Sequence, residues 1–228
     1  MKIGRLLTAM ITPFNENGDI NYDMAAKLSK AIIDSGSDGL VIGGTTGEAP
    51  TINDQEKLKL FSIVKESIGP EHALIAGTTN NNTKESVKLS KLAEAAEVDG
   101  LLLTVPSYNK PTQDGLYQHF KSISEEVSIP CILYNVPSRT SLNMTDETTI
   151  KLSNLKNIVG IKEASSDLDQ ITRIISNTSD DFKVWSGNDN ETLYILSAGG
   201  YGIVSVAGHI VSSQIKQLIG HVLEGNIE

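Results

Sequence analysis

Val98-Asp99-Gly100-Leu101-Leu102-Leu103-Thr104 carries the chain from a helical pattern into an apolar run across a single glycine. The same phrase stands earlier as Ser37-Asp38-Gly39-Leu40-Val41, and Gly200-Tyr201-Gly202-Ile203-Val204 repeats the step with an aromatic residue before the glycine. Each run is short and bounded by turn residues, which reads as a strand buried on both faces. Working outward, apolar runs predict strands over 6–11, 39–42, 73–76, 100–104, 131–134, 158–161, 183–185 and 202–206. Helical spacing of apolar residues predicts helices over 23–35, 54–67, 84–96, 113–127, 146–152, 168–176, 191–197 and 212–223. Asn53, with Glu56 three residues on, marks the second helix start as a capping box. Strict alternation of strand and helix calls for a parallel sheet with right-handed crossovers, either doubly wound or closed. Eight units favour closure. With no Pro-, Gly- or Ser-rich linker, the expected fold is α/β, a (β/α)8 TIM barrel forming one domain over 1–228.

Composition narrows the partners. Hydrophobic residues are 39% and charged residues 21%, ordinary for a chain that buries a core. Lys and Arg number 19 against 28 Asp and Glu, a net charge of -9, with the basic residues scattered; this argues against nucleic acid or an anionic membrane as partner. No stretch approaches 18 apolar residues, and the start lacks the apolar run of a signal peptide, so the expected compartment is the cytoplasm. A lone Cys131 excludes an intramolecular disulfide, and the four histidines show no metal-ligand spacing. No metal or cofactor is expected.

In a barrel of this kind the chemistry gathers at the carboxyl ends of the strands. There the chain reads Gly43-Gly44-Thr45-Thr46-Gly47-Glu48, Pro106-Ser107-Tyr108-Asn109, Tyr134-Asn135-Val136-Pro137-Ser138-Arg139-Thr140, Lys162-Glu163-Ala164 and Ser186-Gly187-Asn188-Asp189. Lys162 ends the apolar run Ile158-Val159-Gly160-Ile161. A lysine desolvated at that point loses its proton more readily and can attack a carbonyl to form a Schiff base; the alternative is a side chain that snorkels to water. The glycine-rich loop offers N–H groups and two hydroxyls to a small anion, or is simply a turn needing unusual dihedrals. Tyr134 and Arg139, around Pro137, offer a proton carrier and a carboxylate clamp, or a core and a surface residue. No P-loop or dinucleotide fingerprint is present.

Taken in order, Gly44-Thr45-Thr46-Gly47-Glu48, Tyr134 to Thr140 and Gly160-Ile161-Lys162-Glu163-Ala164 resemble the dihydrodipicolinate synthase and N-acetylneuraminate lyase superfamily of Schiff-base aldolases, from about Arg5 to the last residue. The Thr-Thr pair and Arg139 resemble its synthase branch. The resemblance implies a lyase that condenses pyruvate with aspartate 4-semialdehyde on the route to diaminopimelate and lysine. It implies Lys162 as imine-forming residue, and Tyr134 as proton donor relayed through Thr45 and through Tyr108 of a neighbouring subunit. Thr46 and Gly47 would hold the pyruvate carboxylate and Arg139 the semialdehyde carboxylate, with main-chain groups of Gly187 and Val204 lining the pocket. A homodimer or homotetramer follows from the shared Tyr108.

Two departures from the family pattern are expected to matter. The chain stops at Glu228, without the usual helical extension after the barrel. At the family's lysine-feedback site Asn81 and Glu85 match, but Ala49, Pro50, Asp54, Lys57 and Ser107 do not, so free lysine is expected to inhibit weakly or not at all. Two other readings stand beside the synthase: a sibling aldolase acting on a 2-keto sugar acid, and a catalytically silent barrel that binds a carboxylate or a partner chain.

Overall fold

The aspartates of the two Asp-Gly phrases latch the starts of neighbouring strands. Asp38 Oδ2 accepts hydrogen bonds from Arg5 N (3.0 Å) and Leu6 N (2.9 Å), and Asp99 Oδ2 accepts from Leu74 N (2.8 Å) and from the Lys65 ammonium. In the third phrase Tyr201 does related work: Tyr201 N donates to Val184 O, and its ring carries the Arg5 guanidinium 4.4 Å from the centroid. Helix starts are equally local. Asn21, Asn53, Asn82, Thr112, Thr145 and Asp167 each accept from a main-chain N–H two or three residues on, and Asn53 with Glu56 closes the expected capping box.

The computed structural model describes residues 3–226. The chain runs β1 (Leu6–Ala9), α1 (Tyr22–Asp34), β2 (Gly39–Ile42), α2 (Asp54–Ile68), β3 (Ala73–Gly77), α3 (Thr83–Ala95), β4 (Gly100–Thr104), α4 (Gln113–Ser124) and β5 (Cys131–Asn135). It continues with a one-turn α5 (Pro137–Thr140), then α6 (Asp146–Leu152), β6 (Ile158–Glu163), α7 (Leu168–Asn177), β7 (Lys183–Ser186), α8 (Thr192–Ser197), β8 (Gly202–Ser205) and α9 (Gly208–Leu223). The strands pair in parallel in sequence order, and β8 returns to β1, closing the expected barrel. Its interior packs Leu7, Val41, Ile75, Leu102, Ile132 and Trp185 against one another; a larger layer around Leu40, Phe61, Leu103 and Phe120 lies between sheet and helices. Among the described residues, no helix is long and apolar enough to cross a membrane.

Several expected boundaries move, most of them for physical reasons. β6 runs two residues past Ile161, because Lys162 and Glu163 keep the ladder although they are ionisable. β5 likewise runs one residue further, to Asn135, and the Pro137 stretch beyond it is a helical turn. β1 and β8 end early, at Ala9 and Ser205, and α4 stops at Ser124. α9 begins at Gly208 but bends at Val211 (φ -128°, ψ 31°), which is why helical spacing reads only from 212.

The β5–β6 ladder contains an irregularity: Cys131 faces Ile158, whereas Ile132 faces Gly160, so Val159 is an extra residue on β6. Just beyond it, a Cβ on Gly160 would stand 2.2 Å from Lys183 O and 2.6 Å from a ring carbon of Trp185. Neither neighbour can yield, one being main chain and the other the largest fully buried side chain. Gly160→Ala is therefore expected to destabilise the barrel by about 3 kcal/mol or more in denaturant unfolding; a loss below about 1 kcal/mol would show that β6 and β7 separate more easily than this packing allows.

Candidate active site

Strand alternation decides which side chains meet. Tyr134 and Lys162 are paired residues of β5 and β6, two positions past the irregularity for Tyr134, and both belong to the barrel interior. Lys162 is 4% exposed, and its Nζ lies 4.1 Å from the centre of the Tyr134 ring. Burial lowers the Lys162 pKa from 10.5 to about 8; the negative charge of Asp189 opposes that fall, and Arg139 adds to it. An amine in this range is partly neutral near neutral pH. Burial raises the Tyr134 pKa, while Arg139 and a hydrogen bond with Thr45 act the other way and Glu163 adds a small push upward. The phenol thus keeps its proton until a reaction calls for it.

The threonine loop is shaped by close main-chain approach. A Cβ on Gly77 would stand 2.2 Å from Gly43 O, so glycine at the end of β3 lets the 43–47 loop lie directly on it. The loop then turns tightly: Gly47 N donates to Gly44 O (3.1 Å), Glu48 N to Thr45 O (3.1 Å), and Thr12 Oγ1 to Gly47 O (2.6 Å). Glu48 takes a left-handed φ of 56° to complete it. This leaves Thr45 exposed at the barrel mouth and Thr46 half-buried beside it.

Arg139 rides on α5, exposed, with its charge felt by both Tyr134 and Lys162. Gly187 follows β7, where Gly187 N donates to Glu163 O (2.7 Å), and Val204 is buried in the interior. Tyr108 behaves differently from the other expected residues. It is 91% exposed on the loop after β4 and holds a left-handed φ of 70°, a strained placement for an aromatic residue that nothing in its own chain buries. A cavity of about 560 Å3 opens at this end, walled among others by Thr45, Val136, Arg139, Lys57, Asn81 and Ser107.

One member of the site carried no assigned role in the sequence. Asp189 is the carboxylate that acts on Lys162, and it is held by Ser205 Oγ and by the N–H groups of Val206 and Ala207 (3.1 Å each). Its only sequence signal was its place just after the seventh strand. Cys131 takes no part as a nucleophile, since burial pushes its thiol up to about 12. Among the described residues, no three His, Cys, Asp or Glu side chains stand together as a metal site.

The model of the Dihydrodipicolinate synthetase family matches residues 2–228. A 4-hydroxy-tetrahydrodipicolinate synthase of Dehalococcoides mccartyi is 54% identical over 227 residues, covering 100% of this chain and 76% of the relative. A second, from Halalkalibacterium halodurans, is 50% identical over 228 residues, covering 100% of this chain and 77% of its own length. The crystal structure of a dihydrodipicolinate synthase from Bacillus anthracis superposes with a TM-score of 0.95 at 43% identity, over 98% of this chain and 76% of that one. The chain thus spans about three quarters of the length of these relatives, and it belongs to the dihydrodipicolinate synthetase family.

Proposed function

We propose that the barrel mouth condenses pyruvate with aspartate 4-semialdehyde to 4-hydroxy-tetrahydrodipicolinate, with Lys162 as the imine-forming residue. The observation that carries this reading is a buried lysine, its pKa brought down to about 8, set against a tyrosine that keeps its proton, in a chain belonging to the dihydrodipicolinate synthetase family. Neutral Lys162 Nζ attacks C2 of pyruvate; Tyr134 gives a proton to the oxygen, which leaves as water, and the imine forms. The Tyr134 phenolate then takes a proton from C3, which restores the phenol and produces an enamine. Its C3 attacks the aldehyde carbon of the second substrate, whose oxygen takes a proton from Tyr134. The amine of that substrate then attacks C2, closes the ring and displaces Lys162.

Thr45, hydrogen-bonded to Tyr134, passes the proton onward. Thr46 and Gly47 hold the pyruvate carboxylate, Arg139 the semialdehyde carboxylate, and the main chain at Gly187 and Val204 lines the pocket. The strained and exposed Tyr108 completes the relay in a neighbouring copy, so the working form is at least a dimer. The enzyme works in the cytoplasm. Free lysine finds little purchase in the cavity, whose walls bear the cations Lys57 and Arg139 and whose Asn81 Oδ1 already accepts from Ser107 N at 3.1 Å. The polyol aldehyde that a sugar-acid aldolase takes presents no carboxylate to Arg139, which favours the semialdehyde as second substrate.

Borohydride reduction in the presence of pyruvate is expected to add one pyruvate-derived group at Lys162, read by peptide mass spectrometry. Labelling of surface lysines with Lys162 unmodified would overturn the Schiff-base reading. Arg139→Ala is expected to leave that labelling intact while lowering kcat/KM for the semialdehyde about 10- to 100-fold, the loss of one charge-assisted pair. Unchanged steady-state kinetics in that variant would remove Arg139 from the site.

A further inference from the structure

Glu163 is a buried ionisable residue to which the mechanism above assigns no step. It is fully buried, and burial raises its carboxyl from 4.5 to about 7. Strand alternation puts it on the opposite face of β6 from Lys162, as it puts Asn135 opposite Tyr134 on β5, and Asn135 and Glu163 are themselves paired residues. Asn135 Nδ2 lies 3.1 and 3.2 Å from the two carboxyl oxygens, and Ser165 N donates to Glu163 Oε1 at 2.8 Å. Gln170 on α7 adds a further side-chain hydrogen bond to the carboxyl.

Around this pair lies a closed set of amides. Asn135 Nδ2 also reaches Asn143 Oδ1 (2.8 Å), Asn135 Oδ1 accepts from Met144 N (3.0 Å), and Asn143 Nδ2 donates to Gln170 Oε1 (2.8 Å). The set therefore joins β5, β6, α7 and the stretch that follows Arg139. It stands where pairing needs support, because the ladder has already slipped by one residue at Val159. A further slip by one would turn Lys162 to the outer face and Glu163 into the barrel.

We propose that Glu163 is a positioning residue for the condensation: clamped by Asn135, Ser165 and Gln170, its carboxyl holds the β5–β6 register that sets Tyr134 beside Lys162. The role rests on the reaction proposed above. It separates two tasks on adjacent residues, chemistry at Lys162 and alignment at Glu163. Glu163→Gln keeps an acceptor for Ser165 N and Asn135 Nδ2, whereas Glu163→Met fills similar space and accepts nothing.

The test is steady-state kinetics on the full chain, with circular dichroism to establish folding. Glu163→Met is expected to lower kcat about 100-fold, the scale of a reacting pair displaced by about 1 Å, with pyruvate KM changed less than about threefold because the threonine loop is untouched. Glu163→Gln is expected to retain kcat within about threefold. Asn135→Ala should show the same split as Glu163→Met, and the double variant should lose no more than either alone, since both remove one clamp. If Glu163→Met does not fold, Asn135→Ala alone reads the split. A normal kcat in the variants lacking the clamp, an equal loss in Glu163→Gln, or losses that multiply in the double variant would each overturn the role. A wild-type protein that makes no product from pyruvate and the semialdehyde would instead overturn the reaction itself, and this role with it.

Discussion

The pairing of β5 with β6 is the constraint on which the site depends. Tyr134 and Lys162 stand opposite each other because that ladder shifts by one residue at Val159 and holds the shifted register to its end. Everything chemical about Lys162 follows from the resulting position. An ammonium group at a strand end with access to water would keep its ordinary pKa; in the barrel interior, beside Trp185 and the face of Tyr134, desolvation brings it to about 8. Packing therefore gives Lys162 the pKa that the proposed imine step needs.

The same burial carries a stability cost, and its sign can be worked out. Lys162 titrates lower in the folded chain than its usual 10.5, so between about 8 and 10.5 the unfolded chain binds more protons and stability rises with pH. Glu163 titrates higher than its usual 4.5, so between 4.5 and about 7 the folded chain binds more protons and stability falls as pH rises. Near neutrality both neighbours thus sit close to their least favourable state for folding. Asp189 eases the first cost and the Asn135, Ser165 and Gln170 hydrogen bonds the second. An apolar pair would pack there more comfortably and do no chemistry.

Much of this was legible in the sequence. The Asp-Gly phrases announced strands because the aspartate latches the start of the strand before it and the glycine leads into the strand after it, and eight alternating strand–helix units favour closure. Lys162 stood out as an ionisable residue ending an apolar run. What the sequence left unread was anything set by contact across elements. Asp189 looked like one polar residue among several, since its effect on Lys162 depends on how β7 lies against β6. Glu163 and Asn135 hid for a related reason: apolarity ended the strands at 161 and 134, whereas β6 runs two residues and β5 one residue further, to a polar pair whose side chains bond to each other. Tyr108 is the converse case, where the site role comes from the resemblance and a single chain can display only the residue's exposure and strain.

On the proposed reaction, burial between β5 and its neighbours makes Lys162 a nucleophile near neutral pH. The most direct measurement is the rate of reductive trapping of pyruvate on Lys162 as a function of pH, followed by mass spectrometry of the Lys162 peptide. The rate is expected to rise with pH and level off with a midpoint near 8. A midpoint near 10.5, the value of a lysine in water, would contradict it.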